Sequence, residues 1–130
     1  MREILFRGKT IDGVAWEEGY YVHIPIGRIG EDEHLIQTLQ GDGRMGILYD
    51  VIPETIGQYT GLKDKNGKRI FEGDIVINKH PRRLSNKPFV VEYKPIVGGY
   101  GYWRLDIHDQ LEVIGNIYNN PELLEVEHDR

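Results

Sequence analysis

The sequence predicts a mainly β fold, a compact single domain of short antiparallel strands, with α+β left open. Three observations predict it. Sixteen glycines and six prolines punctuate 130 residues, a density that suits many turns and suits long helices poorly. Short runs rich in β-branched and aromatic residues recur, and turn-forming residues close them. Helical spacing of apolar residues is scarce.

The elements follow in order. "EILFR" (Glu3 to Arg7) is the first β-prone run, and "TIDGVAW" follows with Asp12-Gly13 as a turn. In "WEEGYYVHI", Tyr20, Val22 and Ile24 share one face and Tyr21 and His23 the other. "HLIQTL" is a short run stopped by "QGDG". Leu35, Ile36 and Leu39 also fit i, i+1, i+4 spacing, which leaves a helix open there. "GILYDVI" ends at Pro53, which lacks the amide for a central ladder. "TIGQYTGL" comes next. "DIVINK" and "FVVEYK" flank a polar, basic segment, and "GGYGYWRLDI" and "LEVIGNIY" complete the strands. "NNPELLEVE" predicts a short C-terminal helix, with Asn120 as N-cap, Pro121 first and Glu122 at the positive end. Leu123 and Leu124 would dock it on the sheet.

The densest stretch is "QYTGLKDKNGKRIFEGDIV", Gln58 to Val76. Asn66-Gly67 predicts a type I′ hairpin turn, which needs positive φ at both central residues. Tyr59 to Leu62 would return through Arg69 to Phe71, with Lys63, Asp64, Lys65 and Lys68 solvated. Gly73 permits a bend, Asp74 can accept nearby backbone amides, and Ile75 to Ile77 enters the core. All of this specifies shape. Gly-Asp-x-Val also opens strands in small SH3-like barrels, so a barrel-like C-terminal part is expected. The lobes expected are about 1–54 and 55–130.

The phrases "VIPETIGQYTGLKDKNGKRIFEGDIV" and "LEVIGNIYNNPELL", with the opening "MREILFRGK", resemble the YopX-like proteins of phages and prophages. The resemblance spans the start, middle and end of the chain. Arg28 to Arg44 and His80 to Pro88 carry no match. What the resemblance implies is a phage or prophage origin in a bacterial host and a compact, β-rich single domain. It brings no catalytic residues.

Composition narrows the chemistry. The absence of cysteine excludes disulfides and thiolate catalysis. The N-terminus carries charge inside its only apolar run, so no signal peptide or membrane association is expected, and a cytoplasmic location is. A net charge of −5 disfavours loose binding to nucleic acid. His23, His34, His80, His108 and His128 lack the i, i+4 spacing of a helical zinc site. Asp106 and His108 would share a strand face, which leaves a dyad conceivable, although a solvated strand end is the plainer reading. Ser85 has no Gly-x-Ser-x-Gly context, and "GGYGY" does not precede a helix. Glu31, Asp32 and Glu33 read as a solvated acidic loop. No catalytic residue, metal site or cofactor is expected.

Two stretches suggest binding surfaces instead. Lys79, Arg82, Arg83 and Lys87 lie in "NKHPRRLSNKP" with no acid among them, a segment able to grip phosphates. Tyr93, Tyr100 and Tyr102 form an aromatic surface, with Trp103 on the opposite face and expected in the core. The expected function is that of an accessory protein acting by binding or assembly, as a homo-oligomer or with an unknown protein partner. A nucleic-acid module and a small-molecule enzyme are the alternatives.

Overall fold

A computed structural model describes residues 4–25, 32–80 and 87–124. Strand accounts for 54% of the structure and helix for 12%, so the fold is mainly β. The chain divides into two compact units, Met1–Tyr59 and Thr60–Arg130.

In the first unit the strands are β1 (Phe6–Lys9), β2 (Trp16–Ile24), β3 (Glu33–Leu39) and β4 (Met45–Asp50). A 3-10 turn, Pro53–Thr55, leads into β5 (Gly57–Lys63), within which the unit boundary falls. The spatial order is β4-β3-β2-β1-β5, and the pairings along it are antiparallel. The Asp12-Gly13 reversal forms because Asp12 Oδ1 accepts both the Thr10 hydroxyl at 2.6 Å and the Val14 amide at 3.0 Å. Residues 33–39 are a strand and not a helix. Ile36 lies opposite Tyr21 on one side and Tyr49 on the other, so neighbouring strands supply the hydrogen bonds that a short, uncapped helix would lack. Leu35, Ile36 and Val51 are buried, and Leu5 and Tyr59 join them.

In the second unit β6 (Arg69–Phe71) lies beside β5. β7 (Asp74–Asn78) is the centre of a second sheet. Its neighbours are β8 (Phe89–Val90) and β11 (Leu111–Asn116). β9 (Tyr93–Ile96) and β10 (Gly99–Tyr102) form a separate two-stranded ribbon. The core is Ile70, Val76, Val91, Leu105 and Leu111, each at most 2% exposed. Burying a side chain of this size is worth about 1.5–3 kcal/mol relative to exposure.

Several expectations need correction. The C-terminal part is not a closed barrel: β7 has an edge strand on each side, and β8 is too short to carry the ladder around. "FVVEYK" is not one strand. Val91 leaves the ladder, its amide donating to the Asp74 carbonyl at 2.8 Å while its side chain enters the core. The short C-terminal helix is present where it was expected, as a single 3-10 turn over Pro121–Leu124. Asn120 Oδ1 accepts the Asn116 amide at 3.3 Å, and it is the Asn120 carbonyl that accepts the Leu123 amide. Leu123 and Leu124 are half-buried.

Candidate functional site

The β9–β10 ribbon carries the tyrosines singled out in the sequence. Its register pairs Gly99 with Ile96, Tyr100 with Pro95, Gly101 with Lys94 and Tyr102 with Tyr93. Two residues, Val97 and Gly98, make the turn, and Gly98 takes the positive φ of 91° that a side chain would resist.

This register brings the three tyrosines together. Tyr93 and Tyr100 stack with ring centroids 6.1 Å apart and planes at 17°. Tyr102 meets Tyr93 edge-on at 5.2 Å, and its hydroxyl donates to Glu72 Oε2 at 3.0 Å. Such aromatic pairs are worth about 0.5–1.5 kcal/mol beyond their buried area. The cluster nevertheless remains at the surface, with Tyr93 58% and Tyr100 68% exposed.

Trp103 is also at the surface, which corrects its expected place in the core. Arg104 adopts a left-handed conformation (φ 64°, ψ 15°), which ends the strand and turns the chain. Its guanidinium lies 4.6 Å from the Phe89 ring and 5.2 Å from that of Trp103, while Lys94 Nζ sits 4.6 Å from Trp103. Two cations thus flank the exposed Trp103 ring. An open groove of about 990 Å³ runs here, lined by residues 95–97 together with Tyr102, Trp103, Arg104 and Asp106.

Beyond Arg104, Leu105–Gln110 is 3-10 in character, so Asp106 and His108 do not share a strand face. His108 Nδ1 instead contacts the Lys63 carbonyl at 2.7 Å.

The charged loop after β5 is built differently from its expectation. Only Gly67 of the Asn66-Gly67 pair has positive φ, at 80°, so the turn is not type I′. Gly67 N–H donates to the Asp64 carbonyl at 3.0 Å, and Asp64 N–H to the Lys68 carbonyl at 2.8 Å. This is a type I turn followed by a glycine bulge. Asp64 was expected to be solvated and is 6% exposed. Its Oδ1 accepts the amides of Asn66 and Lys68, and its Oδ2 accepts that of Val113. Burial pushes the Asp64 carboxyl up, but the amides of Val113, Lys68 and Asn66 and the Lys68 charge outweigh it. They hold the group below the ordinary carboxylate value. Asp74, 1% exposed, accepts the Phe71 amide at 2.8 Å, and Gly73 turns the chain at φ 89°.

The basic segment is only partly described: Arg82, Arg83 and Ser85 lie outside the described residues. Lys79 is exposed and lies 3.6 Å from Glu112, and Lys87 is exposed.

Sequence reasoning missed one constellation in the first unit. His23 and His34 are directly opposite on β2 and β3, their rings stacked at 4.8 Å and 6°. His23 Nε2 contacts Asp32 Oδ2 at 2.8 Å, and His34 Nδ1 contacts the Tyr21 hydroxyl at 2.6 Å. Only hairpin register pairs them, and helical spacing could not reveal it. Among the described residues, no group of three or more His, Cys, Asp or Glu is arranged to hold a metal. Among the same residues no helix is long and apolar enough to cross a membrane.

The family model described as YopX protein matches residues 5–125. Among solved structures, the chain is similar to protein EF1440 from Enterococcus faecalis. Identity is 26% and the TM-score 0.54, over 95% of this chain and 99% of that one. No curated protein matches.

Proposed function

Because this chain belongs to the YopX family, we propose that it is a phage or prophage accessory protein, working in the bacterial host cytoplasm by binding or assembly rather than by catalysis. The observation that carries this reading is the surface position of Tyr93, Tyr100 and Trp103 on one ribbon, next to the exposed turn residue Val97. Aromatic side chains of this kind are the usual anchors of protein contacts. The groove beside them holds one carboxylate, Asp106, and its lining pairs no nucleophile with a base, so a small-molecule enzyme draws little support from it. The reading requires no cofactor.

A nucleic-acid module is the second reading. Lys94 and Arg104 over the exposed Trp103 ring favour it, since such a platform suits a stacked base. Lys79, Arg82, Arg83 and Lys87 would supply phosphate contacts. The net charge of −5 weighs against it.

Site-specific photocrosslinking in host cells tests the leading reading. A photoreactive phenylalanine at Val97, at the ribbon tip, should give discrete adducts, with another protein or with a second copy. One at Val14, 80% exposed in the other unit, should give none. Equal labelling from both positions would contradict the proposal.

A further inference from the structure

We infer that the outer edge of β10 is a seam for a second copy of this chain, joined antiparallel about a twofold axis. The inference rests on the proposed binding role of the ribbon and names its occupant.

Hydrogen-bond parity defines the edge. A two-residue turn between Ile96 and Gly99 makes that pair mutually hydrogen-bonded. The next pair, Pro95 with Tyr100, is then non-hydrogen-bonded, so both residues direct their backbone groups away from the ribbon. On the β9 side Pro95 has no N–H to offer, and that edge is blocked. On the β10 side Tyr100 presents both its N–H and its C=O outward, and the residue is 68% exposed. Among the described residues, the β9 edge is interrupted at Pro95, whereas Tyr100 of β10 offers both a donor and an acceptor.

Three further features fit a copy of the same strand. A two-stranded ribbon is marginal alone in water, and joining two of them gives four strands. Residues 95–103, "PIVGGYGYW", contain no charge, so an antiparallel copy brings no like charges into register despite the net charge of −5. A twofold axis normal to the sheet also keeps equivalent faces on the same side. The Tyr100 side chains of both copies then lie on one face at the seam, continuing the Tyr93–Tyr100 stack.

Light-scattering mass, measured across concentrations spanning micromolar to millimolar dissociation constants, tests this. The wild type should reach twice 15.1 kDa. Tyr100→Pro removes the outward N–H without touching a bond inside the ribbon and should remain at 15.1 kDa. Tyr100→Phe keeps the amide and the ring and should still dimerise. Circular dichroism of each variant checks that the fold is retained. A wild type that stays at 15.1 kDa at every concentration would overturn the seam, while crosslinking from Val97 to a different protein would leave the ribbon's binding role standing. A folded Tyr100→Pro variant that dimerises as well as the wild type would also overturn it.

Discussion

The carboxylate of Asp64 accepts the backbone amide of Val113 at 3.0 Å, across 49 residues of sequence. The same carboxylate holds the turn that follows β5 through the amides of Asn66 and Lys68. One side chain therefore closes a local turn and fixes the position of β11 against it. The Lys65 amide reinforces the join by donating to the Leu111 carbonyl at 2.8 Å.

Removing that acceptor should be costly. Asp64→Ala leaves three amides without their partner, two local and one on β11. At about 1–3 kcal/mol for each buried donor left unsatisfied, reduced where water enters, a loss of about 3 kcal/mol is expected. Asp64→Asn keeps one acceptor oxygen and should lose less. Urea denaturation of the three proteins measures the difference, and a change below about 0.5 kcal/mol for the alanine variant would mean that Asp64 does not pin the turn.

The same contacts set a pH dependence. The folded Asp64 carboxyl titrates below its unfolded value, so folding favours the ionised form. Its contribution is fully present above the unfolded value of about 3.9 and is lost as pH falls through the folded one. The stability gap between wild type and Asp64→Asn should be constant near neutrality and shrink only below about pH 4. Denaturation at stepped pH reads this, and a gap that widens on acidification would contradict the sign.

The turn makes a separable prediction. Gly67 has φ of 80° and Asn66 does not share a positive φ. Gly67→Ala should therefore cost about 1 kcal/mol or more, whereas Asn66→Ala should cost a few tenths. Equal costs at the two positions would restore the type I′ turn that the Asn-Gly pair suggests.

Trp103 offers an optical test. It is 43% exposed, so Trp103→Phe should alter stability by less than about 0.5 kcal/mol and remove the emission most readily quenched by acrylamide. A loss of several kcal/mol would place Trp103 in a core contact instead.

The strand-and-turn plan was legible because it rests on local chemistry. Asp12-Gly13, the break at Pro53 and the reversal at Gly73-Asp74 each act over a few residues. What local reading missed were non-local matters. The burial of Asp64 depends on the amide of Val113, and a charged residue beside Asn-Gly looks solvated until that partner is in place. His23 and His34 meet only through strand register. Trp103 lies at the surface between Lys94 and Arg104, and after the turn at Arg104 it is Leu105, two residues on, that takes the core position. The tyrosines were legible as a group because alternation puts Tyr100 and Tyr102 on one face. The blocked β9 edge could also be read from Pro95, once the two-residue turn is known.

Hydrogen exchange at the Tyr100 amide, followed as a function of protein concentration, reports most directly on the seam. The Gly101 amide, in a hydrogen-bonded pair within the ribbon, serves as the internal reference. Exchange at Tyr100 should be fast in dilute protein and slow markedly as concentration rises, while Gly101 changes less. Fast exchange at Tyr100 at every concentration would show that β10 has no strand beside it and would contradict self-assembly through this edge.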